Sequence, residues 1–108
     1  MKYEMMHVGV PVKETVLPED YAEGLKVYIS GPDNNDLKFE YLRFEEDTPL
    51  HADVVNKTHV AYKVPNIDQF IEEEKATVLN GRMAVDDTLD IAFVSVHGTV
   101  LELMEFKA

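Results

Sequence analysis

Two histidines and two glutamates recur at matching places in two short, similar stretches of this sequence. His7 lies in the run MHVGVPV and His59 in the run THVAYKV, so each histidine precedes a valine within an apolar segment. Farther along each half, Glu40 in LKFEYLRF matches Glu102 in TVLELMEF. Internal similarity of this kind in a small chain indicates two copies of one structural unit.

These residue types are suited to binding a divalent metal. Two neutral imidazoles and two carboxylates form a nitrogen and oxygen ligand set for Zn²⁺, Ni²⁺, Mn²⁺ or Fe²⁺. Without Glu40, the remaining two histidines and one carboxylate form the set that suits non-haem Fe²⁺. In the alternative, the histidines are hydrogen-bonded core residues and the glutamates pair with Lys38, Lys63 or Arg43. The matched pairs of histidine and glutamate favour the metal.

The elements that would carry these residues also repeat. Each half contains a strand that begins near its histidine, an intervening segment, and a hairpin whose second strand carries the glutamate. The hairpins consist of LKVYIS and LKFEYLRF in the first half, and of LDIAFV and TVLELMEF in the second. They turn at GPDNN and at VHG, where His97 and Gly98 have typical turn chemistry.

The intervening segments differ between the halves. In the second half, NIDQFIEEEK predicts a helix capped by Asn66, with Gln69 three residues later as in a capping box. The following ATVLNG predicts a short strand that ends in an Asn-Gly turn. In the first half, residues 13–24 contain a proline and no apolar helical stripe, which predicts a loop with at most one helical turn. His51, between the halves, is expected to be a solvated linker residue.

Alternation along the strands predicts which side chains share a face. His59 should lie on the same face as Ala61 and Lys63, and Glu102 on the same face as Met104. The strands are apolar on both faces, so the four titratable groups should point into mostly apolar surroundings. Buried charges are paired, neutralised or bound to metal.

The composition limits the class of protein. A chain of 108 residues with 45% hydrophobic residues predicts one folded domain. Its net charge of −11 disfavours nucleic acid and anionic membrane surfaces as partners. The sequence has no cysteine, and neither a signal peptide nor a membrane span is expected. We therefore expect a soluble, cytoplasmic protein.

From HVGVPV through HVAYKVPNID to GTVLELMEF, the sequence resembles the vicinal oxygen chelate superfamily. That superfamily includes glyoxalase I, methylmalonyl-coenzyme A epimerase, extradiol dioxygenases and bleomycin-resistance proteins. The resemblance implies an α+β fold, in which two βαβββ modules form a cup of curved mixed sheet. Module one would span about residues 1–50, with its helix reduced or missing, and module two about residues 56–108. The metal ligands that the resemblance implies are His7, Glu40, His59 and Glu102.

The resemblance also implies a function. We expect a divalent-metal-dependent lyase or isomerase of a small α-hydroxy- or α-keto-carbonyl compound, with Glu40 or Glu102 as the base. Lys63 and Arg43 are the cations expected to contact a substrate carboxylate. Two alternatives are an Fe²⁺-dependent extradiol-type dioxygenase and a metal-free module that sequesters a small apolar or cationic compound. Exposed edge strands and the uncovered sheet of module one predict a homodimer.

Overall fold

The fold centres on one mixed sheet of eight strands. The computed structural model describes residues 2–107. The strands are β1 (Glu4–Pro11), β2 (Asp20–Ala22), β3 (Val27–Ser30), β4 (Phe39–Phe44), β5 (His59–Lys63), β6 (Thr77–Asp86), β7 (Leu89–Val96) and β8 (Thr99–Phe106). Between them lie the helices α1 (Ala52–Asn56) and α2 (Ile67–Glu74) and the 3₁₀ turns Glu23–Leu25 and Pro32–Asn34. No helix within residues 2–107 is long and apolar enough to cross a membrane.

The strand order is symmetrical about the centre of the sheet. It runs β2-β3-β4-β1-β5-β8-β7-β6, so strands β1–β4 form module one and β5–β8 form module two. β1 and β5 pair antiparallel at the centre, and each pairs in parallel with the last strand of its own module. The sheet curls into a cup. Ala22 and Val85, which lie in its two edge strands, line the same cavity. The predicted α+β fold is confirmed, with no α-helix between β1 and β2.

Helix α2 covers the outer face of module two. Its cap is the predicted Asn66, whose side-chain oxygen accepts a hydrogen bond from the backbone N–H of Gln69 at 2.8 Å. Such a cap contributes about 1 kcal/mol to stability. Ile67 and Phe70 are buried in a core cluster that includes Leu103 of β8. The apolar side of the helix is therefore anchored to the strands behind it.

The corresponding segment of module one is not an α-helix. Residues 12–19, which include Pro18, form an irregular connection, and residues 20–25 form β2 and one 3₁₀ turn. The single helical turn agrees with the prediction for this segment. Strand β2 does not follow from the pattern, because three residues that pair with β3 at the sheet edge are too few to show alternation.

The predicted turn at Asn80 and Gly81 is wrong. β6 continues through both residues to Asp86, with an irregular register against β7. The side-chain oxygen of Asn80 accepts a hydrogen bond from the backbone N–H of His51 at 2.7 Å, so it holds the linker instead of a turn. The chain reverses later, where the Asp86 carboxylate accepts a hydrogen bond from the backbone N–H of Thr88 at 2.7 Å.

The linker between the modules forms the short helix α1, which the sequence pattern does not predict. His51 is exposed, as expected for a linker residue, and its Nδ1 also caps α1 by accepting a hydrogen bond from the backbone N–H of Asp53 at 3.0 Å. Leu50 and Val54 are buried in a core cluster with Phe93. Burial of these two side chains gives the short helix its tertiary support.

The two faces of the sheet divide as alternation predicts. In β8, Val100 and Met104 contact the core cluster on the inner face of the cup. Leu101 and Leu103 contact the cluster under α2 on the outer face. Glu102 lies between these leucines in the sequence and lines the cup with Met104, so the predicted direction of its side chain is confirmed.

Candidate metal centre

Each of the four central strands of the sheet contributes one predicted ligand to the inside of the cup. Glu40 comes from β4, His7 from β1, His59 from β5 and Glu102 from β8. In both modules the glutamate is paired with the residue two positions after the histidine of the neighbouring strand. The two registers are therefore equivalent, and they bring the four side chains to the same place.

A small residue lies beside each histidine in the sheet. Gly9 is paired with His59 across the junction of β1 and β5, and Ala61 is paired with His7. A Cβ atom added to Gly9 would lie 2.1 Å from Cε1 of the His59 ring. Because real Cβ atoms do not approach other atoms so closely, only glycine leaves the space that this ring occupies. The glycine of HVG thus has a structural reason.

The ligand atoms form a compact cluster around Glu102. Its Oε1 lies 3.2 Å from Nε2 of His7 and 3.1 Å from Nε2 of His59. Oε1 of Glu40 lies 3.4 Å from Nε2 of His7. One ligand atom from each of the four residues lies within 4.8 Å of the others. The fold therefore brings together all four ligands expected from the sequence.

The cluster forms a polar patch in the wall of an apolar cavity of about 220 Å³. His7, His59 and Glu102 are buried, while the Glu40 side chain keeps 17% of its surface exposed. Electrostatic interactions are stronger in such a place than in water. The other twelve lining residues are apolar: Ala22, Leu25, Val27, Ile29, Leu42, Phe44, Leu50, Val85, Leu89, Ile91, Phe93 and Met104.

Burial and hydrogen bonding act in opposite directions on the pKa values in the cluster. Desolvation lowers the pKa of His7, but hydrogen bonds with Glu102 and Glu40 outweigh it and raise the pKa to about 10. Desolvation raises the pKa of Glu102, but hydrogen bonds with His59 and His7 outweigh it, so the pKa is lowered. Without metal, the cluster therefore favours protonated His7 beside ionised Glu102.

The cluster is suited to a divalent metal in both ligand type and ligand spacing. Metal–ligand bonds of about 2.0–2.2 Å at tetrahedral or octahedral angles separate neighbouring ligand atoms by roughly 3–3.5 Å. The three contacts of 3.1, 3.2 and 3.4 Å fall within that range. Two carboxylates also neutralise a divalent ion inside apolar walls. The residues present can therefore hold a metal ion.

The His59 ring is fixed by packing. Its Nδ1 is buried and has no hydrogen-bond partner among the described residues, whereas metal-binding histidines usually donate this second N–H to an acceptor. Gly9 lies against the ring, and Phe93 meets it nearly at right angles, with centroids 5.4 Å apart. Sequence reasoning missed both neighbours. A glycine within a strand often marks the close approach of another group, so Gly9 was a usable signal in the sequence. No feature of the sequence indicated that Phe93 would contact the ring.

The two cations expected at the substrate lie outside this cavity. Arg43 alternates with cavity-lining residues of β4 and points to the outer face, where it pairs with Glu19 at 2.8 Å and stacks on Tyr28. Lys63 is the last residue of β5, and its Nζ lies 5.6 Å from the ring centroid of Phe106. Their contact with a substrate carboxylate stays a prediction.

Other polar residues selected from the sequence also lie outside the cluster. Lys38 lines a second recess with His7 and Glu40, yet within residues 2–107 no ion pair joins it to Glu40 or Glu102. The carboxylates contact the histidines instead. His97 and Gly98 form the β7–β8 turn with positive φ angles of 52° and 81°, which confirms their predicted role.

Comparisons with known proteins agree with this fold. No family model and no curated protein matches the sequence. A hypothetical protein from Bacillus halodurans has a similar structure, with a TM-score of 0.69 and 18% identity over 100% of this chain and 97% of that one. Methylmalonyl-CoA epimerase from Mycobacterium tuberculosis has a TM-score of 0.59 and 11% identity, over 96% of this chain and 88% of that one. At these identities the likeness shows a shared fold.

Proposed function

We propose that this protein is a metal-dependent member of the vicinal oxygen chelate superfamily, and a lyase or isomerase of a small α-hydroxy- or α-keto-carbonyl compound. The observation that carries the proposal is the cluster of four ligand atoms within 4.8 Å in the wall of an apolar cavity. The fold likeness to an epimerase supports the reaction class. An epimerase inverts a stereocentre, which removal and return of a proton can achieve.

The metal and the chain have separate tasks in this proposal. A bound divalent ion would supply Lewis-acid stabilisation of the negative charge that develops on two neighbouring substrate oxygens. His7, His59 and Glu102, which come from three adjacent strands, would hold that ion. The apolar walls exclude water, so the interactions of the reacting groups are not weakened by solvent.

Glu40 is better placed than Glu102 to move the proton. Its carboxylate contacts one group of the cluster, His7 at 3.4 Å, and its side chain is 17% exposed. Glu102 contacts both histidines, at 3.1 and 3.2 Å, and its side chain is 9% exposed. A general base has to come within hydrogen-bond distance of the proton that it removes, which requires some freedom of movement. We assign proton transfer to Glu40 and anchoring to Glu102.

An Fe²⁺-dependent dioxygenase is a second candidate for the same site. The ligand atoms of His7, His59 and Glu102 make the two shortest contacts of the cluster. Two histidines and one carboxylate with open positions suit Fe²⁺ in oxygenases. Glu40 would then lie beside the metal without binding it. This candidate requires iron in the purified protein and consumption of oxygen with substrate.

A metal-free binding module is a third candidate. Glu102 Oε1 is within hydrogen-bond distance of both histidines, so these three side chains interact with one another without an ion. The apolar cavity would then sequester a small apolar or cationic compound. On this alternative, added metal changes neither the stability of the protein nor its affinity for a ligand.

Hydrogen exchange at a substrate carbon tests the proposed function. The protein, purified without an affinity tag, is stripped of metal, reloaded with Zn²⁺, Ni²⁺, Mn²⁺ or Fe²⁺, and incubated in D₂O with 2-hydroxyacetophenone. We expect metal-dependent loss of the α-proton NMR signal. Glu40→Gln should retain metal and lose this exchange, while Glu46→Gln, at an exposed carboxylate outside the cavity, should keep both. Absence of metal binding in calorimetry would overturn the proposal.

A further inference from the structure

Outside the cluster of His7, Glu40, His59 and Glu102, the wall of the cavity carries no positive charge among the described residues. Apart from the four ligands, its lining is apolar. The second recess, beside His7 and Glu40, contains Lys38, but Asp33 lines the same recess and offsets that charge. The chain as a whole has a net charge of −11. An anionic substituent would therefore be buried without a partner and repelled by the surrounding field.

The net charge of the cluster with a metal ion bound also favours an uncharged ligand. One divalent ion and two ionised glutamates sum to zero. An uncharged compound that binds there keeps the buried site neutral. A carboxylate or phosphate would add a negative charge next to apolar side chains, where charge is strongly disfavoured unless it is paired.

The size of the cavity suits a compact substituent. An apolar cavity of about 150 Å³ can hold a benzene molecule, and this one has about 220 Å³. It therefore has room for one ring or branched alkyl group together with two oxygens. Val27, Leu42 and Phe93 line it from three different strands, so a compact group would be contacted from several directions.

We propose that the substrate is an uncharged small molecule with one aryl or branched alkyl group beside its two neighbouring oxygens. This inference rests on the proposed function for the identity of the site. It adds that acyl-coenzyme A, phosphorylated and carboxylate-bearing compounds are not substrates, and it therefore replaces the expectation that Lys63 and Arg43 contact a substrate carboxylate. In this respect the protein differs from methylmalonyl-CoA epimerase, which by its name acts on a coenzyme A derivative.

The test uses the metal-free chain and two probes of equal size. Acetophenone and benzoate have the same number of non-hydrogen atoms and differ in charge. NMR titration should show that acetophenone shifts the methyl signal of Met104 and binds at least about tenfold more tightly than benzoate, since burying the carboxylate is costly. Equal affinities, tighter binding of benzoate, or no binding of acetophenone at millimolar concentration would overturn the inference.

Two substitutions in β6 test whether the preference for an uncharged ligand arises in the cavity. Val85 lines the cavity and is 53% exposed, so Val85→Lys adds a cation at its rim. It should raise benzoate affinity by roughly threefold or more through charge pairing. Val78→Lys, at a 48% exposed residue of the same strand outside the lining, is the matched control and should leave both affinities unchanged. Lys38→Gln should also leave benzoate affinity unchanged, and a marked loss would contradict the inference.

This test separates the inference from the proposed function, because no metal is present. Preferred binding of acetophenone by a protein that binds no metal would support the apolar ligand class and defeat the proposed catalysis. Metal binding and α-proton exchange in a protein that prefers benzoate would support the catalysis and defeat the ligand class.

Discussion

The two modules share strand order and register but differ in what covers them. In module two, α2 buries Ile67 and Phe70 against the outer face of the sheet. In module one, the corresponding face has no helix over it in the described part of the chain, and Val10, Tyr28 and Tyr41 are partly exposed there. The same strand order and register therefore form with and without a covering helix, because the strand pairing at the centre of the sheet does not involve it.

The four candidate ligands also differ in burial between the two modules. The side chains of His59 and Glu102 in module two are 0% and 9% exposed, against 6% and 17% for His7 and Glu40 in module one. The more deeply buried pair belongs to the module that the helix supports. The more accessible carboxylate belongs to the open module. This difference agrees with the proposed roles of Glu102 as anchor and Glu40 as base.

Exchange of each glutamate for glutamine should give the largest difference between the modules. Glu102→Gln removes the carboxylate that contacts both histidines, so we expect metal affinity to fall by about 100-fold or more, at or above the upper range for outer-shell changes. Glu40→Gln should lower it by less than about tenfold. Calorimetric titration with Zn²⁺ measures both affinities. Equal losses would contradict the division of roles.

Addition of one methyl group should distinguish Gly9, beside the His59 ring, from a glycine in open space. In Gly9→Ala the new Cβ would lie 2.1 Å from the His59 ring, which has to move. Overpacking of this kind costs about 1–3 kcal/mol, and metal affinity should fall as well. Gly24→Ala places its Cβ where nothing lies within 4 Å, so its effect should stay within about 0.5 kcal/mol. Urea denaturation measures both, and equal stabilities would contradict the close packing.

The pH dependence of stability should reverse when metal binds. Without metal, the raised pKa of His7 stabilises the fold fully below its ordinary value of 6.5, and this contribution is lost as the pH rises towards about 10. The lowered pKa of Glu102 stabilises the fold above its ordinary value of 4.5, and that contribution is lost in acid. Bound metal requires neutral imidazoles, so its stabilisation grows with pH.

Between pH 6.5 and 9, the melting temperature of the metal-free protein should therefore fall as the pH rises. That of the metal-loaded protein should rise over the same range. His7→Gln removes the group with the raised pKa, so its metal-free melting temperature should change less over this range. If the melting temperature changes with pH in the same way for the metal-free and the metal-loaded wild type, then His7 does not exchange a proton for metal.

Self-association should be the smallest effect, and it tests the open face of module one. Tyr21 is 44% exposed and packs on Tyr28, with ring centroids 4.6 Å apart. Because exposed aromatic surface favours association, we predict a homodimer through this face. Light scattering at micromolar concentration should show a dimer that Tyr41→Lys weakens and Val78→Lys does not. A wild-type monomer at these concentrations would contradict this prediction.

The repeat made the centre of the fold predictable from the sequence. Alternation around His59 and Glu102 was readable because β5 and β8 are long enough for their faces to differ. Local chemistry was sufficient for the cap at Asn66 and for the turn at His97 and Gly98. These features depend on residues close together in the chain or on the comparison of the two halves.

The features that were not predictable depend on distant contacts. Asn80 and Gly81 have the composition of a turn, but the backbone of His51 binds the Asn80 side chain and β6 continues. Helix α1 depends on burial of Leu50 and Val54 in the core cluster on the inner face of the cup. The four residues of the cluster were predictable from the sequence, but their separations depend on the register of four strands and on the space beside Gly9.

Melting temperatures with and without metal test most directly whether the modules share one ion. Wild type, His7→Ala and His59→Ala are compared in chelator and with added Zn²⁺, Ni²⁺, Mn²⁺ or Fe²⁺. His51→Ala, at an exposed histidine outside the cluster, is the control. At 100 times its Kd, a metal bound by the folded state stabilises it by about 2.7 kcal/mol. We predict this gain for wild type and the control, and a much smaller gain for each ligand variant. An identical response of all four proteins would contradict the shared metal.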